Sequence, residues 1–142
     1  MITLKAGGEL GSEQLVCSVE TGKALVEAGL HPATGGDGTQ ACSGDMLLQA
    51  LVACAGVTLA AAATALEIDF KGDRVHVEGD LDFRGTLGVD TKVPVGFRDI
   101  RPSFDLDTDA DGEKIATLMK LPERYCVVCQ TLISPPPVTV SY

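Results

Sequence analysis

The chain has 142 residues and a formal net charge of −9, is 45% hydrophobic with only 4% aromatic residues, and contains no Trp. That length suits one domain with an aliphatic core. The acidic balance excludes nucleic acid, whose phosphates need a basic stripe, and excludes docking on an anionic membrane surface.

Residues 2–5 and 14–19 are predicted strands, separated by Gly7, Gly8 and Gly11; residues 24–30 add a third after a turn at 20–23, giving a small meander. The first fifteen residues have no apolar h-region, so no secretory signal is expected. Residues 31–43 form a loop too rich in Gly for regular structure. The loop lacks the GK[ST] of a phosphate-binding loop, so no nucleotide cofactor is expected.

The central stretch runs from Ser43 to Glu67. Between Met46 and Leu66 only Gln49, Thr58 and Thr64 are polar, Ala dominates, and Cys54 lies near the middle. Ala is the best helix former, Ser43 suits an N-cap, and Asp45 places a carboxylate where the helix dipole favours it. A helix apolar all round must be buried on every side or cross a bilayer. Its length reaches the roughly 20 residues a span requires. Asp45 and Glu67 at its flanks, the weak apolarity of Ala and the lack of an adjoining Lys/Arg cluster argue for a core helix and no membrane span.

After a polar turn at 69–73, residues 74–83 alternate with period two: Val75, Val77, Gly79, Leu81 and Phe83 against Arg74, His76, Glu78, Asp80 and Asp82. Residues 85–92 break the pattern, and 95–106 form the matching strand, with Pro102 at an edge or bulge. A short amphipathic helix is predicted over 111–121. Pro122 fits the first turn of a second helix, 123–133, which carries Cys126 and Cys129. Prolines at 135–137 end it, and 138–142 return as a terminal strand. The order of elements predicts an α+β fold with antiparallel sheet, as a single domain over 1–142.

Three groups of residues bear on chemistry. The acidic run from Asp105 to Glu113 imitates half an EF-hand loop, but Leu118 stands where a bidentate Glu is required, so an acidic turn capping the next helix is expected. Cys126 and Cys129, three apart, would share a helix face at a spacing a disulfide tolerates; redox chemistry and simple burial both fit. No paired ligand set completes a zinc site, and no metal is expected. Cys54 has apolar helical neighbours in Ala50, Leu51 and Val57 and an uncharged one in Thr58, so any activation of its thiol must come from elsewhere in the fold or from a second subunit. Cys17 and Cys42 are read as structural. Five cysteines, an odd number, read as cytosolic thiols and a cytoplasmic location.

Ser43-Gly-Asp-Met-Leu-Leu-Gln-Ala-Leu-Val-Ala-Cys54 and Glu123-Arg-Tyr-Cys126-Val-Val-Cys-Gln-Thr-Leu132, with Val95-Gly-Phe-Arg-Asp-Ile between them, resemble the osmotically induced protein C / organic hydroperoxide resistance (OsmC/Ohr) family over most of the chain after His31. The resemblance implies strongly bent antiparallel sheets wrapped around two central helices in an intertwined, obligate homodimer. It implies Cys54 as the thiolate that attacks an organic hydroperoxide, Cys126 as the resolving cysteine, and a dithiol such as dihydrolipoamide as reductant. No cofactor is implied. The alternative is a non-peroxidase relative that binds a small apolar ligand or senses redox state through Cys126 and Cys129. Three departures stand out: no Arg precedes Arg74, Asp45 stands near the place of the usual Glu, and Val127 replaces the usual Pro while Cys129 is added. Lys5 or Lys23 are the cations left to stand in for the missing Arg.

Overall fold

A computed structural model of the chain describes residues 6–10, 16–20, 25–71 and 73–142. The chain forms two compact units, Met1–Leu47 with Asp80–Asp99, and Leu48–Gly79 with Ile100–Tyr142. The strand expected at 2–5, and Lys5 and Lys23, lie outside the described residues.

In the first unit β1 (Gly7–Leu10), β2 (Val16–Glu20) and β3 (Leu25–Gly29) form an antiparallel meander, with Glu9 opposite Ser18 and Val19 opposite Val26. Gly7 and Gly8, expected to be separators, belong to β1, because pairing with β2 outweighs the weak strand preference of Gly. A short β4 (Ala41–Cys42) pairs with β3 in parallel, a departure from the all-antiparallel expectation. Parallel neighbours need a crossover rather than a tight turn, and residues 30–40 supply it. That crossover is more ordered than its Gly content predicts. It contains a 3₁₀ turn at Pro32–Thr34, opened by His31 Nδ1 accepting from the Ala33 N–H at 3.0 Å and closed by Gly35 at φ 98°, a left-handed conformation suited to glycine.

Helix α1 (Ser43–Ala65) follows at once, so Ser43 is its first residue rather than its cap, with Asp45 in the first turn as expected. It ends in a Schellman arrangement. Glu67 adopts φ 55°, its N–H bonds the Thr64 carbonyl at 3.2 Å, and the Ile68 N–H bonds the Ala63 carbonyl at 2.9 Å. Ile68 then folds onto Ala63 in the core.

In the second unit β5 (Arg74–Asp80) alternates exposed and half-buried residues as its period predicts, with Val75, Val77 and Gly79 inward. It stops three residues early, because Asp82 caps a short helix α2 (Phe83–Thr86) in the first unit, its carboxylate accepting from the Arg84 N–H at 3.1 Å. β6 (Asp99–Asp105) pairs with β5, and it too is shorter than predicted. Glu78 meets Arg101 and His76 meets Asp105, contacts that run in opposite directions along an antiparallel pair.

The largest correction concerns the C-terminal helices. The first, α3, spans Gly112–Tyr125 and carries Pro122 inside it, rather than ending at 121. The chain turns extended at Cys126, φ −72° and ψ 112°, and restarts as α4 (Val127–Ile133). Cys126 and Cys129 therefore do not share one continuous helix face: Cys126 is the cap of α4. No strand forms at 138–142, where Val138 and Val140 are exposed.

One apolar cluster of the second unit joins Leu59, Ala62 and Ala63 of α1 to Ile68 and Leu118; another joins Leu51 and Ala55 to Cys126. α1 is thus buried along one side only. Ala50, Ala53, Val57, Ala60 and Ala61 are exposed, Val57 at 72%, so a single chain does not supply the burial on every side expected of this helix.

Candidate functional site

Three thiols converge in the second unit. Leu51 and Ala55 of α1 flank Cys54 on the buried side, and the junction between α3 and α4 brings Cys126 against them. Around these lie Val75 and Val77 of β5, Ile100 and Phe104 of β6, and Val128, Cys129 and Leu132 of α4. The half-buried faces of β5 and β6 thus wall the thiols with hydrocarbon. Cys126 is fully buried, at 0% exposure, while Cys54 and Cys129 are partly exposed.

The junction is built by a sulfur. The Cys126 N–H still bonds the Pro122 carbonyl at 3.0 Å, so α3 holds the residue up to its amide. From there the backbone swings out, and Cys126 Sγ accepts from the Cys129 N–H at 3.5 Å, doing for α4 what a hydroxyl or carboxylate does at an ordinary cap. The swing leaves the Val127 and Val128 amides without helical partners and aims them at Cys54.

Those amides set the electrostatics. The Val128 N–H, above all, pulls the Cys54 thiol below its ordinary pKa against the opposing effect of burial. The Cys126 thiol, the Val127 N–H and the Thr58 hydroxyl add to the pull. Thr58 has a single hydroxyl proton, shared between that sulfur and the Cys54 carbonyl 2.8 Å from its oxygen. Cys126 moves the other way: burial pushes it up, partly offset by the Cys129 N–H, and the hydrogen bond its S–H donates to the Cys54 sulfur raises it further. Burial, then the charge of Glu123, raises Cys129. Cys54 is therefore the thiol that ionises first, with a protonated Cys126 beside it. All three are free thiols, as is Cys42.

Cys54, Cys126 and Cys129 were named from the sequence, and the fold brings them together. Asp45 does not join them; it is exposed in the first turn of α1. The groups missed were the amides of Val127 and Val128. Main-chain donors carry no side-chain signature, and the only hint was a cysteine at a helix break. The acidic run behaves as expected. Asp111 caps α3 by accepting from the Lys114 N–H at 2.8 Å, and Asp109 pairs with Lys71 at 2.6 Å. Among the described residues no group of three or more His, Cys, Asp or Glu is placed to hold a metal ion.

The first unit has a cavity of its own, of about 410 Å³, walled by Leu30, Leu47, Leu81, Phe83, Val95 and Phe97, with Cys42 among its lining. His31 stacks on Phe83 there, ring centres 5.0 Å apart. Asp82 holds the nearby turn through a fork from Arg84, at 3.0 and 2.7 Å, which lowers its carboxyl to about 2.

This fold of small sheets and long helices is that of a known class. The OsmC-like protein family matches residues 36–141, and the chain belongs to that family. It is similar in structure to an OsmC-like protein from Mycoplasma pneumoniae (TM-score 0.78, 16% identity, 94% of this chain and 89% of that one). It also resembles an OsmC-like protein of unknown function from Vibrio cholerae (0.74, 10%, 92% and 94%). A third similar structure is an organic hydroperoxide resistance protein from Elizabethkingia anophelis (0.69, 12%, 95% and 91%). No curated protein matches the sequence.

Proposed function

We propose that this protein is a thiol peroxidase that reduces organic hydroperoxides in the cytoplasm. The observation that carries this reading is the pairing of an acidified, partly exposed Cys54 with a buried, protonated Cys126 in one apolar cluster. Cys54 thiolate attacks the terminal oxygen of ROOH, the O–O bond breaks, and the leaving alkoxide takes a proton to give the alcohol. Cys54 is left as a sulfenic acid, which condenses with the Cys126 thiol to a disulfide and water. A dithiol such as dihydrolipoamide supplies the two electrons that restore both thiols. The hydrocarbon around the thiols suits a peroxide with an apolar R group, and the family includes proteins named for organic hydroperoxide resistance.

The working form in this reading is an obligate homodimer. The exposed stripe of Ala50, Ala53, Val57, Ala60 and Ala61 is apolar and small-sided, and a second copy of α1 would cover it. The test is turnover of cumene hydroperoxide with dihydrolipoamide by wild type, Cys54→Ser and Cys126→Ser. Turnover lost in Cys54→Ser supports the reading; wild type no faster than Cys54→Ser sinks it.

The first-unit cavity favours a second reading, a binder of small apolar ligands. Narrowing it with Leu81→Trp would abolish binding of an apolar fluorescent probe while leaving the thiols untouched.

A further inference from the structure

The proposed cycle needs only two of the three clustered thiols. The third is placed by the cap: Cys126 is the cap residue of α4 and Cys129 its third residue, tied by the 3.5 Å contact from the Cys129 N–H to Cys126 Sγ. Cys126 thus meets the Cys54 thiol of α1 and the Cys129 amide of α4 at its sulfur, and all three thiols belong to one apolar cluster. Exposure differs among them in a telling way. Cys126 is sealed at 0%, whereas Cys129 is partly open to solvent.

We propose that Cys129 is a second resolving cysteine, which takes over the disulfide from Cys54 and presents it to the reductant. This rests on the peroxidase reading and adds a step to it. Cys129 gives its proton to solvent, and the thiolate attacks Cys126 Sγ. The Cys54–Cys126 bond breaks with its electron pair on Cys54, leaving Cys54 thiolate and a Cys126–Cys129 disulfide. The exchange is redox-neutral. The dithiol then attacks Cys129, Cys126 leaves as a thiolate and takes a proton, and the second thiol of the reductant closes on the first, releasing Cys129. The amides of Val127 and Val128 that favour thiolate on Cys54 also make it the better leaving group. The sealed sulfur is the shared one, so the reductant never needs to reach it. Cys54 is freed for another peroxide before the reductant arrives.

The experiment adds cumene hydroperoxide to reduced protein without reductant, then maps disulfides by mass and traps sulfenic acid with dimedone. Wild type is expected to consume about two equivalents, ending with a Cys126–Cys129 disulfide and Cys54 trapped by dimedone. Cys129→Ser should stop after about one, held as Cys54–Cys126, with turnover on dihydrolipoamide falling about tenfold. Cys129→Ala, which keeps the site apolar, should behave the same way. Cys54→Ser should form no Cys126–Cys129 bond. The relay is overturned if wild type stops as Cys54–Cys126, if Cys129→Ser turns over as fast as wild type, or if Cys54→Ser forms the Cys126–Cys129 bond as readily. Cys126→Ser separates the two levels. Sulfenic acid trapped on its Cys54 keeps the peroxidase reading whatever becomes of the relay; no trapped acid there sinks both.

Discussion

Among the described residues, the thiol on the alanine-rich helix is acidified by hydrogen-bond donors. The donors are amides, led by that of Val128. Because Cys54 lies below its ordinary value, its thiolate fraction rises with pH and saturates earlier than that of Cys129, which is raised. Alkylation by iodoacetamide, followed peptide by peptide, is expected to show a midpoint for Cys54 below the ordinary thiol value of about 8.5 and one for Cys129 above it. Thr58→Val removes a hydroxyl donor and moves the Cys54 midpoint upward; an unchanged midpoint would remove Thr58 from the site. At this scale the clustered thiols were legible, since cysteines are visible in a sequence. Their protonation order was not, because it depends on main-chain groups more than seventy positions away.

At the scale of elements, the break between α3 and α4 makes the site. Pro122 looked like the start of a helix, and it is the last turn of one; the stop comes four residues later, at a cysteine acting as a cap. Capping preference gives sulfur no weight, so the sequence pattern ran the helix through. Helix α1 was legible for the opposite reason, a long run of strong helix formers bounded by charges. β5 was legible from its alternation. The alternating 138–142 tail misled, since alternation without a partner makes no strand. Val127 is the first residue of α4, where proline is tolerated, and Cys126 before it is already extended, as a residue preceding proline prefers. Val127→Pro should therefore keep the fold by circular dichroism. It deletes one amide facing Cys54, and with a hydrogen bond worth about 1 kcal/mol the first-turnover rate with peroxide at neutral pH should fall about fivefold.

At the scale of the molecule, α1 is covered by its own chain along one side only. An apolar core helix was readable from composition; which side its own chain would cover was not, and neither was the parallel β3–β4 pair, since both depend on contacts distant in sequence. The proposed dimer makes a plain prediction for the open side. Val57→Glu sets a carboxylate in the middle of the alanine stripe, and light scattering should then report the mass of one chain in place of two. A Val57→Glu protein that stays paired would place the interface elsewhere.

The distance along the chain between Cys126 and its two possible partners has a thermal consequence. Joining Cys54 to Cys126 ties a loop of roughly 70 residues, which the loop-entropy relation values at about 4 kcal/mol; joining Cys126 to Cys129 ties one helical turn, worth about 2. Oxidation should therefore toughen the protein in two unequal grades. Cys129→Ser, arrested with the long loop closed, should melt on the order of 10 °C above its reduced form, and oxidised wild type by less. A melting curve would then read which pair of sulfurs holds the bond.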